Sequence, residues 1–410
     1  MTLNKPLKIL ISGFLINLCI GVMYAWSVFH ETLIADMGWS QTEASSPYAV
    51  AILTFSVSLL VAGILQDKLG PRKVVLAGVA LTGLGMIASG YATSVMELNI
   101  TYGIMMGLGC GFSYACLCPS AMKWFHPSKK GTVNGTINAG FGLSAMFYAP
   151  LISYLIGEFD LSTTFQIVGV MILILALPLA ATFNNPPKGY VAETPKNYKA
   201  PLAADSQGDM TWKEMIKTPH FYLMCGMNMF AAAVGLMLIS NITSMATEQT
   251  GVEGLVYLAS ILALFNSAGR VLGGMLLDKI GGINTLTLAF IAQAVNLAMF
   301  PMFDSEIAMI IGTTVAALSY GTLYAGFPSL MANFYGLKNY GTNYGVFNIS
   351  WGISGSIGPA IVAFSLAEVN NYDYAYMIGA GMMAVCVVFA QLARFVTKPK
   401  QESEKALTTA

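Results

Sequence analysis

The group in this sequence best placed to do chemistry is an arginine set inside an apolar run. Residues 258–282 read as one membrane-spanning helix, with Arg270 eight residues before a charged end at Asp278 and Lys279. At 1.5 Å per residue this puts the guanidinium roughly 12 Å inside the boundary. A charge at that depth costs on the order of 3 kcal/mol on insertion scales, so such residues usually face a water-filled cavity and meet a partner there. No Asp, Glu or Lys lies clearly inside a predicted span. The expected partner therefore comes from outside the chain. A small carboxylate is the simplest candidate, because the planar guanidinium fork can serve both its oxygens and a lysine cannot.

Other reactive side chains are poorly placed. His30, His126 and His220 fall at span ends or in loops, so an embedded enzyme would lack the imidazole, base or metal cluster its chemistry requires. The six cysteines, Cys19, Cys110, Cys116, Cys118, Cys225 and Cys386, all fall in predicted spans, where cysteine behaves as a small apolar residue. Cys116 and Cys118 are two apart on a helix and point to different faces, which suits a metal badly. No cofactor, metal or nucleic acid is expected, and the chain is expected to act as a monomer.

The elements that must position Arg270 follow from composition. The 410 residues are 56% hydrophobic and only 10% charged, which excludes an ordinary soluble domain and indicates a polytopic protein of the lipid bilayer. Forty-one glycines suit closely packed helices, and the apolar runs are too long for barrel strands. The expected fold is all-α, with spans at 8–29, 46–65, 74–93, 98–120, 132–156, 164–183, 220–245, 255–277, 284–302, 306–331, 342–366 and 374–396. The first follows Lys5 and Lys8, lacks a small-residue cleavage site and runs on into further spans, so it is expected to be a retained anchor. Nineteen of the twenty Lys and Arg residues fall on one side of this array, and the twentieth is Arg270. By the positive-inside rule that side is cytoplasmic, with both termini on it and the inner (plasma) membrane as the location.

The chain repeats itself at an offset of about 210 residues. Gly63-Ile-Leu-Gln-Asp67-Lys68-Leu-Gly70 matches Gly274-Met-Leu-Leu-Asp278-Lys279-Ile-Gly281, and Gly131-Thr-Val-Asn-Gly135 matches Gly341-Thr-Asn-Tyr-Gly345. Asn138 with Phe141-Gly-Leu-Ser144 answers Asn348 with Trp351-Gly-Ile-Ser354. Two pseudo-symmetric six-helix bundles are expected, 1–183 and 220–398, with a cytoplasmic linker at 184–219 and a tail at 399–410. Duplication of this kind is a mark of transporters that move two bundles around a central site. The linker holds Pro186, Pro187, Pro195, Pro201 and Pro219, and Thr211-Trp-Lys-Glu214 reads as a capping box opening a short helix.

Gly-x-x-x-Asp-Lys-x-Gly-x-Arg at Gly63 to Arg72, with its shortened copy at Gly274 to Gly281, resembles the loop signature of the major facilitator superfamily. Gly21-Val-Met-Tyr-Ala-Trp-Ser-Val-Phe29, Lys123-Trp-Phe-His-Pro127, Phe265-Asn-Ser-Ala-Gly-Arg270, Tyr324-Ala-Gly-Phe-Pro328 and Asn343-Tyr-Gly345 resemble the oxalate:formate antiporter family, which is related to the monocarboxylate transporters. The resemblance implies alternating access, with Arg270 binding the carboxylate and Tyr24, Tyr114, Tyr320, Tyr324 and Asn348 facing the cavity. It also implies a latch on the cytoplasmic side, made by Asp67 and Arg72 and by Asp278 with Lys279. Two departures bear on substrate and coupling. Oxalate-transporting members carry a lysine where this chain has Trp351, so one cation is left, which suits a monocarboxylate such as lactate, pyruvate or formate. Eukaryotic monocarboxylate transporters carry an aspartate four residues before the arginine, where this chain has Asn266, as the antiporters do. Proton-coupled uptake is the expectation. Anion exchange of the oxalate:formate type and a transporter-like carboxylate receptor remain the alternatives.

Overall fold

The computed structural model describes residues 4–187, 189–194, 209–252, 255 and 257–395. The tail expected at 399–410 and part of the linker, including Lys188 and 195–208, lie outside the described residues. Twelve helices among them are long and apolar enough to cross a membrane. They are α1 (Lys5–Met37), α2 (Thr42–Leu69), α3 (Pro71–Ser89), α4 (Val95–Met122), α5 (Pro127–Glu158), α6 (Leu161–Thr182), α7 (Pro219–Thr250), α8 (Tyr257–Ile280), α9 (Gly282–Met302), α10 (Glu306–Tyr335), α11 (Tyr340–Val369) and α12 (Asp373–Phe395). Several run one or two turns beyond the apolar stretches that announce them. Polar end residues extend the helices by capping them: the Glu43 carboxylate accepts from the Ser40 N–H at 2.9 Å, and Asp160 Oδ1 accepts from the Thr163 N–H at 2.6 Å. Left-handed residues end others, with Gly38 at φ 67°, Gly251 at φ 67° and Asn370 at φ 56°.

The repeat seen in the sequence is repeated in backbone geometry. Gly70, between α2 and α3, has φ 81° and ψ 160°, and Gly281, between α8 and α9, has φ 85° and ψ 157°. A Cβ at either position would meet nothing within 4 Å, so glycine is required there by the backbone angles and not by space.

The described chain forms two compact units. Residues up to Phe125 group with Thr136–Ala192, and His126–Gly135, at the start of α5, group with the residues from Glu193 onward. In the first unit α4 packs against both α2 and α3, and α3 against α6; in the second α10 packs against α8 and α9, and α9 against α12. The pairing is the same six helices on. Close approach of α4 depends on glycine, because side chains would hold the backbones apart. A Cβ at Gly107 would sit 2.9 Å from the Ala51 carbonyl oxygen, and one at Gly111 would collide with the Ser58 hydroxyl and lie 2.7 Å from the Phe55 oxygen. The glycines of α11 behave differently. Gly358 packs on Ala233 of α7, but Gly352 and Gly355 meet nothing within 4 Å, so their spacing does not mark a helix contact.

Two stretches depart from α-helical winding. Gly21–Ala25 tightens α1 into a 3-10 turn, and the carbonyls around it accept from neighbouring helices. Tyr148 donates to Cys19 O at 3.0 Å, the Cys110 thiol to Ile20 O at 3.2 Å and Ser144 to Gly21 O at 2.7 Å. Asn99–Met106, in α4, is wound as a π-helix, and the Thr54 hydroxyl donates to Gly103 O at 2.6 Å.

Gly111→Ala should lower the thermal midpoint of the detergent-solubilised protein, at a cost of about 1–3 kcal/mol from overpacking. An unchanged midpoint would show that α2 and α4 can separate freely.

Candidate functional site

Arg270 lies on α8 and is 2% exposed. Its Nε–H donates to Oδ1 of Asn266 at 3.0 Å, one turn earlier on the same helix. The Tyr324 ring, on α10, lies under the guanidinium at 4.2 Å from its centroid, an arrangement worth about 0.5–2 kcal/mol. Tyr320, one turn before Tyr324, shares a 2.8 Å hydrogen bond with it through their hydroxyls. The Trp351 indole N–H, on α11, is buried near the Tyr324 hydroxyl without reaching hydrogen-bond geometry. The Asn266 amide nitrogen is likewise buried, and it donates to nothing among the described residues.

The resulting cluster in the second unit holds a guanidinium, an amide N–H₂, an indole N–H and two phenolic hydroxyls. It is rich in donors and poor in acceptors. Burying a donor without an acceptor costs about 1–3 kcal/mol, and the Asn266 amide and Trp351 indole N–H groups are two such donors among the described residues, so the cluster suits a group that accepts hydrogen bonds. An anion with two or three oxygens has that chemistry.

Small residues hold this part of α8 in place. A Cβ at Gly321 of α10 would collide with the Asn266 carbonyl, and one at Gly135 of α5 with the carbonyl of Arg270 itself. Gly269 and Gly273 of α8 face Leu318 and Thr322 of α10 in the same way. On α10, Pro328 lacks the N–H that would bond the Tyr324 carbonyl four residues earlier. Asn134 of α5 replaces it, donating to Tyr324 O at 2.8 Å and to Ala325 O at 3.2 Å. Asn134 was not among the expected site residues. Its signal in the sequence is Pro328, which leaves a carbonyl in need of a donor at the very residue whose ring carries the arginine.

The expected residues of the first unit form a separate aromatic group. Tyr24, within the 3-10 turn of α1, and Tyr114 of α4 both meet Phe141 of α5 edge-on, at 4.8 and 5.2 Å between centroids. Phe55 of α2 packs on Tyr114 at 5.5 Å and was not anticipated. Leu59, the position matching Arg270, is buried. Asn348, on α11, is half-buried.

Of the expected latch residues, Asp67, Arg72 and Lys279 are exposed and Asp278 is half-buried. Asp278 is bound by the start of α5. Its Oδ1 accepts the Gly131 N–H at 2.8 Å, and its Oδ2 accepts the Thr132 N–H at 2.8 Å and the Thr132 hydroxyl at 2.5 Å. A carboxylate at a helix N-terminus is favoured by the free N–H groups and the dipole there. These amide and hydroxyl donors, and not Lys279 beside it, are what hold Asp278.

Twelve spanning helices in two units with one internal packing scheme define a multi-pass membrane protein of the transporter type. The sequence profile of the Major Facilitator Superfamily matches residues 9–359 and 294–409, and the chain belongs to that family of transporters; it is not an enzyme. The chain is 26% identical over 400 residues to the oxalate:formate antiporter of Oxalobacter formigenes, covering 96% of this chain and 91% of that protein. It is 23% identical over 390 residues to monocarboxylate transporter 13 of Rattus norvegicus, covering 92% and 86%. The solved structure of the proton:xylose symporter XylE superposes with a TM-score of 0.70 at 14% identity, covering 97% of each chain, a likeness of fold.

Asn134→Leu should destabilise the protein by about 1–3 kcal/mol by leaving the Tyr324 carbonyl without its donor. Thermal unfolding in detergent measures this, and a neutral result would mean that α10 finds another donor at Pro328.

Proposed function

We propose that this transporter carries a small monocarboxylate of the lactate, pyruvate or formate type by alternating access, with a proton as its coupling ion. The observation that carries the reading is the donor cluster around Arg270. A guanidinium presents a planar fork that can serve both oxygens of a carboxylate, and Asn266 orients that fork by accepting from Nε. The tyrosine hydroxyls and the Trp351 and Asn266 N–H groups can then bind a second oxygen, a 2-hydroxyl or a 2-keto group, while the rings exclude water. Tyr24, Tyr114 and Asn348 would be further substrate-binding residues. The names of the relatives, an oxalate:formate antiporter and a monocarboxylate transporter, support a small organic anion as cargo.

Trp351 favours a monoanion over a dianion. An indole adds a donor without a second positive charge, so a second carboxylate would lose its hydration without an ion to replace it. Asn266 supports a second reading, anion exchange: an amide one turn from Arg270 cannot take up a proton as an acid could, and a returning anion would then reset the carrier. The contacts of Asp278 with the start of α5, and Asp67 and Arg72 in the matching loop, would act as the latch that opens once per cycle. The concentration of cations on the linker side supports a plasma-membrane protein with that side, and both termini, in the cytoplasm.

In reconstituted vesicles, uptake of labelled lactate should be competed by pyruvate and formate more strongly than by oxalate, and Arg270→Lys should reduce it at least tenfold through loss of the planar fork. Trp351→Lys should move the competition toward oxalate. Preference for oxalate in the wild type would overturn the monoanion assignment. Stimulation by an opposing anion gradient, without response to a pH gradient, would favour exchange.

A further inference from the structure

Residues 209–218 lead into α7 and are fastened to the turn between α10 and α11, which are the helices that carry Tyr320, Tyr324 and Trp351. Oδ1 of Asp209 accepts the successive backbone N–H groups of Leu337 at 3.0 Å and Lys338 at 2.9 Å. Gly336 opens that turn at φ 78°, and a Cβ there would collide with the Asp209 carboxylate. The Met210 N–H donates to Tyr335 O at 3.1 Å. The Met210 carbonyl accepts from the amides of Asn339 at 3.2 Å and Asn343 at 3.0 Å. Asn343 belongs to the Asn343-Tyr-Gly345 element, which the substrate reading leaves unused. The short helix Trp212–Met215 follows, opened by the Glu214 carboxylate accepting from the Thr211 N–H at 2.7 Å and its hydroxyl at 2.8 Å. These bonds hold the Glu214 carboxyl below its usual range, that from the backbone N–H most of all. Met215 is fully buried, and the Thr218 and Tyr335 hydroxyls share a 2.8 Å bond that closes the segment.

The same end of the unit receives the start of α5. Lys130 stands beside the first turn of that helix, where the dipole disfavours a cation. Its ammonium is met by the other pole of α10, donating to Asn333 Oδ1 at 3.3 Å and to the Ala332 carbonyl at 3.5 Å. Asp209, bound at Leu337 and Lys338, is fastened to the same end of α10, so the carboxylate and the Lys130 ammonium are held at one helix end. The next two residues, Gly131 and Thr132, are those held by Asp278. The start of α5 is thus gripped from two sides. Asp278 takes its N–H groups, and the α10 end together with Asp209 compensates its lysine.

We propose that residues 209–218 form a strap that controls how readily the start of α5 leaves its seat on the second unit, with Asp209 as a positioning residue acting through Lys130. Without the Asp209 charge, Lys130 keeps only the neutral Asn333 and Ala332 acceptors at a helix start that disfavours a cation, and the adjacent N–H groups are held less firmly by Asp278. The segment between the repeats then does more than connect them. It sets the strength of the latch that the signature loop alone was expected to provide. The consequence for transport rests on the latch role proposed above; the structural linkage does not.

Hydrogen–deuterium exchange of the full-length protein in detergent tests this without any substrate. Asp209→Asn should speed exchange of the 337–338 amides and also, by about tenfold, that of the amides of Gly131 and Thr132. In a Lys130→Met background the Asp209→Asn change should leave Gly131 and Thr132 unaffected, because the cation to be compensated has gone. Faster exchange at 337–338 with no change at 131–132 would overturn the proposal, and so would an equal effect in both backgrounds. If Asp209→Asn fails to fold, rising salt concentration gives the same readout: screening of the Asp209–Lys130 attraction should speed exchange at 131–132 in the wild type and not in Lys130→Met, and salt-independent exchange there would contradict the compensation. Lactate uptake provides a second readout, with maximal rate expected to change severalfold at unchanged KM. Absence of uptake by the wild type would count against the substrate reading and leave the exchange result standing.

Discussion

The structure is built around one constraint, a guanidinium held almost completely out of water inside a membrane helix. Keeping an arginine there is expensive, and the surrounding residues limit the cost without removing the charge. Asn266 fixes Nε, the Tyr324 ring lies against the cationic plane, and four glycines let α5, α8 and α10 close on one another at the backbone. With the α8 carbonyls of Asn266 and Arg270 seated against Gly321 of α10 and Gly135 of α5, the backbone that carries Arg270 has little freedom to follow a substrate. A binding group that is already in position loses little entropy when its ligand arrives, which is the condition for selective recognition of a molecule as small as formate or lactate.

A duplicated scaffold carries this single charge. Gly70 and Gly281 adopt nearly the same backbone angles, and the helix pairs of one unit recur in the other. The side chains have diverged: Leu59 occupies the place that answers Arg270, and the first unit offers an aromatic group of Tyr24, Phe55, Tyr114 and Phe141. Repetition serves the geometry of the helices, while recognition of charge is assigned to the second unit. The donors left over there, the Asn266 amide and the Trp351 indole, add polarity without adding charge, which is how a site can favour a monoanion over a dianion.

The helices were legible because hydropathy over about twenty residues responds to bilayer thickness alone. Their ends were less so, since capping by Glu43 and Asp160 extends α2 and α6 through residues that hydropathy counts as loop. Glycine content indicated close helix packing but not where: Gly107 and Gly111 lie at the α2–α4 contact, whereas Gly352 and Gly355 meet nothing within 4 Å among the described residues. Site residue types were visible as polar or aromatic groups within apolar runs. Their grouping was not, because Arg270, Tyr324 and Trp351 come together across three helices. The donors to Asp278 were hidden for a related reason: Gly131 and Thr132 lie more than a hundred residues away, and two of the three donors are backbone N–H groups, which side-chain types do not reveal.

The most direct test of the Arg270 assignment is ligand-induced stabilisation of the purified protein, measured as the shift in thermal midpoint with lactate, pyruvate, formate and oxalate. A ligand at a hundred times its Kd should stabilise the folded state by about 2.7 kcal/mol. The account predicts a clear upward shift for at least one monocarboxylate in the wild type and none in an Arg270→Gln variant that still unfolds cooperatively. Equal shifts in the two proteins, or no shift of the wild type with any of the four acids, would contradict it.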